Sequence, residues 1–180
     1  VPTDAPWLLV TPGGGEDGQT LVDTALRGWL ALPAVDRPRM HVVSGPEMPA
    51  AAREQLASMA KDRPGLTVQT FCDDMMALHG AADVVLAMGG YNTVCEILSS
   101  GGRAVLVPRT QPSLEQAIRA ERLARLGLVA MVHPDHLTPT RLIEAAMREL
   151  HAARARAPFA RPMSMDGLDN VASAVFAQLG

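Results

Sequence analysis

Lysine is almost missing from this chain: Lys61 stands alone against fifteen arginines, an imbalance that carries no functional weight by itself. Basic charge is in deficit overall. With 19 acidic and 16 basic side chains the net charge is −3 and the isoelectric point is near 5.9, which excludes a strong general field for nucleic acid or an anionic membrane, though not a local basic site. Aromatic residues make up only 3%, too few for a stacking platform for single-stranded nucleic acid. Two cysteines, Cys72 and Cys95, lack C-x-x-C spacing, and the expectation is reduced thiols in a cytosolic protein. No apolar run reaches the roughly 18 residues of a membrane span, and no charged-then-apolar signal segment opens the chain. A soluble protein is expected.

Catalytic signatures are equally scarce. No G-K-[ST] ends a phosphate loop, no G-x-S-x-G elbow occurs, and no D-x-D pair offers itself to a metal-bound nucleotide. His133 and His136 form H-x-x-H without a further His or Cys nearby, so no metal is expected. The chain opens on Val1 and is in strand pattern within a few residues, which reads as a fragment of a longer polypeptide.

Short Val- and Leu-rich runs are plentiful: Trp7 to Thr11, Met40 to Gly45, Leu66 to Phe71, Asp83 to Met88, Ala104 to Pro108 and Leu128 to Val132. Between them lie helical patterns at Gln19 to Leu32, Pro49 to Lys61, Asp74 to Ala81, Tyr91 to Ser100, Leu114 to Leu126 and Thr138 to Ala153. Strands that are apolar throughout and alternate with helices predict an α/β fold, a doubly wound parallel sheet of about six strands. Asp74 and Thr138 are placed as N-caps and Gly127 as a helix terminator. Residues 1–153 form the expected domain. From 154 to 180 an irregular connection leads to a last helix, Leu168 to Leu179.

Ligands of such sheets bind beyond the carboxyl ends of the strands, where helix N-termini offer free N–H groups. After the first strand, Gly13, Gly15 and Gly18 fit G-x-G-x-x-G, but the second strand ends in Ser44 and Gly45 where a ribose-binding acid of a dinucleotide site would stand. Gly13, Gly14 and Gly15 are therefore read two ways, as a tight turn or as backbone that meets a phosphate. Glu16 and Asp17 are expected to cap the helix or face solvent.

After the fourth strand the wording is "LAMGGYNTVCEILSSGG", Leu86 to Gly102. Gly89 and Gly90 clear the way to the first free N–H groups of a helix, and Asn92 and Thr93 add donors, which makes an anion site. Glu96 falls on the same helix face, about 9 Å further along. That is the reach from a nucleotide diphosphate to its ribose diol, which a carboxylate can accept in a bidentate pair. The bland alternative is a solvated helix glutamate. Val94, Cys95, Leu98 and Tyr91 fall on another face.

After the fifth strand, Arg109, Thr110, Glu115 and Gln116 bring donors and acceptors together for a polyhydroxylated group, while Ser113 and Gln116 also fit an S-x-x-Q capping box. After the third strand, a base can rest on Phe71 or Met75 with its edge at the backbone near Cys72. An apolar strand end followed by an Asp cap is an equally ordinary reading.

"ADVVLAMGGYNTVCEILSSGGRAVLVPRTQPSLEQAIRAERLARLGL", with "FCDDM" upstream and "TPGGG" near the start, resembles the carboxyl-terminal, donor-binding domain of GT-B glycosyltransferases, closest to family 28. The similarity runs from about Trp7 to Leu150, and its most specific part is G-G-x-x-T-x-x-E-x-x-x-x-G with V-P and E-Q behind it. The resemblance implies a UDP-sugar donor, with Glu96 on the ribose, the glycine turn and Thr93 on the diphosphate, Glu115 and Gln116 on the sugar, and the Cys72 backbone with Met75 at the uracil. It further implies no metal or other cofactor and an unknown acceptor. The general base would lie on an amino-terminal domain missing from this chain, to which residues 154–180 would cross. The whole protein would be cytoplasmic, peripheral to the inner membrane face through that domain. A UDP-sugar 2-epimerase of the same fold and a non-catalytic nucleotide-sugar-binding domain remain as alternatives.

Overall fold

The structure, a computed structural model, describes residues 5–155 and residue 177. The helix expected over 168–179 and most of the connection before it lie outside the described residues.

Among the described residues six strands and six α-helices alternate: β1 (Trp7–Thr11), α1 (Gln19–Ala31), β2 (Arg39–Val43), α2 (Ala50–Lys61), β3 (Leu66–Gln69), α3 (Met75–Ala81), β4 (Val84–Ala87), α4 (Tyr91–Ser100), β5 (Ala104–Leu106), α5 (Glu115–Arg125), β6 (Ala130–Met131) and α6 (Pro139–Arg154). The strands form one parallel sheet in the order β3-β2-β1-β4-β5-β6. Successive side chains of a strand point to opposite faces, so a strand buried on both sides must be apolar at every position. On β1, Leu8 and Val10 pack with Leu26 of α1, Leu56 of α2 and Leu142 of α6. Leu9 points the other way, into a second core with Val94 and Ile97 of α4 and Leu123 of α5. All three β1 residues are fully buried, each contributing roughly 1.5–3 kcal/mol. Doubly wound layering is therefore written residue by residue into β1.

The element ends follow local chemistry. The Asp74 carboxylate accepts from Ala77 N at 2.9 Å and the Thr138 hydroxyl from Arg141 N at 3.2 Å, so both caps form as expected. Gly127 follows α5 with φ +69°. Several strands are shorter than their apolar runs, because Met88 and Pro108 stay buried after the chain has left the sheet. No helix of the described residues is long and apolar enough to cross a membrane.

Candidate functional site

The chain leaves β1 toward one face of the sheet and β4, its neighbour, toward the other. A crevice must open where those departures diverge. An open cleft of about 690 Å³ lies there, walled by the loops that follow β1 to β5.

One wall is the glycine run after β1. A Cβ on Gly45, where φ is +84°, would stand 2.2 Å from the Gly14 carbonyl oxygen, and one on Gly15 would stand 2.4 Å from that of Ser44. Glu47 N donates to Gly14 O at 2.9 Å. Much of this glycine content thus serves the clasp between the loops after β1 and β2, although Gly13, Gly14 and Gly15 all line the cleft. Glu16 and Asp17 are both exposed, as expected for solvent-facing residues, but neither caps α1. Gly18 is the N-cap, with no side-chain bond, and both acids line the cleft. Asp17 is drawn there by Arg109, whose Nη1 donates to its carboxylate at 3.0 Å across the cleft mouth.

The opposite wall is the start of α4. Gly89 has φ +90°, which turns the chain from β4 into the helix. Gly90 has an ordinary φ of −57°, and no protein atom lies within 4 Å of where its Cβ would be. Beyond the mild preference of an N-cap for glycine, neither backbone conformation nor protein packing requires one at that point. It lines the cleft together with Asn92, Thr93 and Glu96, three residues of the face read from the helical period; Gly89 and Ser100, placed on the same face, are not among the cleft-lining residues. Tyr91, which the helical period places with Val94, Cys95 and Leu98 on another face, is 65% exposed and lines the cleft, with the Arg119 guanidinium 5.5 Å from its ring centre. Arg119 also donates to Gly89 O at 3.1 Å and pairs with Glu115, pinning the glycine turn from behind.

Glu96 is not a fully solvated helix residue. Its side chain is 33% exposed, and Oε2 lies 3.3 Å from Nδ1 of His79, which is 1% exposed. The two atoms are within reach of one another but not aligned as a hydrogen bond, and neither His79 ring nitrogen has a hydrogen-bond partner. An unsatisfied buried polar group costs roughly 1–3 kcal/mol. Sequence reading passed over His79. Its signal was a lone imidazole in the otherwise apolar "MMALHG", and its partner lies seventeen positions on.

The β3 loop supplies Phe71, 62% exposed, with Cys72 and Met75 beside it. On the β5 side the expected residues separate. Arg109 and Gln116 line the cleft, Thr110 lines an adjoining smaller hollow, and Glu115 lines neither and turns to Arg119. The S-x-x-Q capping box does not form. Ser113 accepts from Glu115 N, and Gln116, with its amide oriented to suit both neighbours, donates to Met88 O at 2.9 Å and accepts from Arg109 Nε at 3.3 Å. Those contacts satisfy a buried carbonyl and fix a cation, which a local cap would forgo.

Burial lowers the pKa of both His41 and His79 from its ordinary value, because it disfavours the imidazolium. In the unfolded chain both take up a proton near pH 6.5, so below that value the unfolded state binds more protons and stability falls until the lower folded pKa values are passed. Scanning Tm from about pH 7.5 down to about 5.5 should show this loss, with a shallower fall in His41→Gln and His79→Asn variants. Equal slopes in all three proteins would contradict it.

Residues 12–170 match the glycosyltransferase family 28 C-terminal domain. The chain belongs to that family. The family 28 domain is 31% identical over 141 residues to the UDP-N-acetylglucosamine--N-acetylmuramyl-(pentapeptide) pyrophosphoryl-undecaprenol N-acetylglucosamine transferase of Corynebacterium efficiens, a match covering 78% of this chain and 36% of that protein. Among solved structures, the calicheamicin glycosyltransferase CalG4 superposes with a TM-score of 0.66 at 24% identity, over 86% of this chain and 36% of that one. Acinetobacter baumannii MurG does so with 0.63 at 23%, over 89% and 51%. The family 28 domain therefore spans about a third to a half of the proteins it matches, and its sheet is that of a GT-B glycosyltransferase half.

Proposed function

We propose that this domain is the donor-binding half of a metal-independent glycosyltransferase and holds a UDP-sugar along the cleft. Gly90 carries the reading. It opens space at the N-terminus of α4 that no protein atom fills, with Glu96 two turns down on the same wall. A diphosphate on that N-terminus meets free N–H groups and the positive end of the helix dipole, with Asn92 and Thr93 beside it. Glu96 then accepts from the ribose diol, and the base lies against Phe71, Cys72 and Met75. The sugar extends toward Arg109, Thr110, Glu115 and Gln116, a hexose or N-acetylhexosamine.

Bond breaking at the anomeric carbon places growing negative charge on the leaving diphosphate. The N-terminus of α4 meets that charge where it develops. Arg109 is the one Lys or Arg among the cleft-lining residues, and Asp17 already partly neutralises it, so the helix supplies the larger share. No group of three or more His, Cys, Asp or Glu able to hold a metal occurs among the described residues. The acceptor and the general base belong to an amino-terminal domain of the same polypeptide, with which the whole protein works in the cytoplasm at the inner membrane face.

Titration calorimetry with UDP, UDP-N-acetylglucosamine and NAD tests the donor class. UDP species should bind, unaffected by EDTA, and NAD should not. Binding of NAD with no response to any UDP species would overturn the proposal. With the two-domain protein, release of UDP dependent on an acceptor supports transfer, whereas release of free epimerised sugar would favour the epimerase.

A further inference from the structure

Glu96 can grip a diol only if its two oxygens face the ligand as a fork, and a carboxylate on a rotatable stem has no reason of its own to hold that orientation. The side chain packed behind it is His79, carried by α3, which lies against α4. Its ring is buried, lines the same cleft, and brings one nitrogen, Nδ1, to 3.3 Å from Glu96 Oε2. The other nitrogen, Nε2, is also buried and unpartnered. A polar ring shut away from water without a hydrogen bond needs a reason, and Glu96 is the acceptor within its reach.

We infer that His79 is a positioning residue for the donor: its Nδ1–H turns Glu96 so that both carboxylate oxygens meet the ribose hydroxyls, making the site selective for ribose over 2′-deoxyribose. The inference rests on the reading of the cleft as a nucleotide site and assigns the means of its sugar selectivity. Burial keeps the imidazole neutral, so it carries one N–H. Facing a group that only accepts, that hydrogen sits on Nδ1, and the interaction is that of a neutral donor on a carboxylate. A diol that fixes the far side of the carboxylate draws the pair from 3.3 Å into hydrogen-bond geometry. Contacts of this kind commonly tighten in the complex.

Calorimetry on the 180-residue chain compares UDP with 2′-deoxyuridine diphosphate, which lacks one hydroxyl of the diol. The unaltered chain should favour UDP about tenfold. His79→Leu should narrow that ratio toward one. His79→Asn, which keeps an N–H donor near the Nδ1 position, should restore it, and His79→Gln, which moves the donor toward Nε2, should not. A packing role alone would weaken both ligands together and leave the ratio intact; that result in His79→Leu, or equal ratios in His79→Asn and His79→Gln, overturns the inference even where Glu96→Ala abolishes selectivity. Should His79→Leu fail to fold, the Asn and Gln pair still decides. An unaltered chain that does not distinguish the two diphosphates overturns the nucleotide reading of Glu96, and the inference with it.

Discussion

Replacing Glu96 by alanine should weaken UDP binding to this chain by on the order of a hundredfold while Tm moves by no more than a few degrees. Hydrogen bonds to a charged group are worth roughly 1.5–3 kcal/mol each, and a ribose diol offers two. Even partial recovery by water leaves about 2.7 kcal/mol, which is the hundredfold. The stability side is smaller because the carboxylate is one-third exposed, forms no hydrogen bond within the fold and sits in the body of α4, where alanine is the better helix former. What the fold loses is the acceptor beside His79, whose ring is already without a hydrogen bond. Calorimetric titration paired with a thermal scan separates the two effects. Unchanged affinity would return Glu96 to the role of a half-solvated helix residue, and a collapse of Tm with proportionate loss of binding would make it structural.

The sheet could be read from the sequence because its cause is local. A strand covered on both faces must be apolar at every position, and "WLLVT" or "DVVLA" meets that demand without reference to anything distant. The same holds for α4, whose limits Tyr91 and Ser100 coincide with its helical pattern, and for the caps at Asp74 and Thr138. Run-on apolar residues misled only at strand ends, where Met88 and Pro108 are buried just beyond the sheet and not within it.

The cleft was legible where one helix face carries it and illegible where the crossovers assemble it. Asn92, Thr93 and Glu96 share a period of 3.6 and could be seen together. Arg109 and Asp17 are ninety-two positions apart, and only the adjacency of β1 and β4, with β5 beyond, brings them into contact. His79 and Glu96 meet because α3 and α4 pack side by side. Gln116 shows the converse: a local pattern promised a capping box, and two longer-range partners, Met88 O and Arg109, outbid it.

Two glycines of this cleft should respond to alanine in opposite ways, which makes them the sharpest test of which parts are scaffold and which are ligand space. Gly45→Ala should cost several kcal/mol and lower Tm by about ten degrees or more. Its φ of +84° already strains any L-residue by roughly 1–2 kcal/mol. The new Cβ would then lie 2.2 Å and 2.5 Å from the carbonyl oxygens of Gly14 and Gly13, so the loops after β1 and β2 must separate, breaking the Glu47 to Gly14 bond. Gly90→Ala meets neither obstacle. Its φ is ordinary, its Cβ would enter open space, and alanine at an N-cap costs about 1 kcal/mol or less. That methyl would project where a diphosphate must lie to reach the first N–H groups of α4, so UDP affinity should fall at least about tenfold in a domain that melts almost normally. If Gly90→Ala binds UDP as before, the diphosphate does not rest on α4, whatever the fate of Glu96. A Gly45→Ala chain of undiminished Tm would show that the clasp between the first two loops yields without cost, and the first glycine run would then need a ligand to explain it.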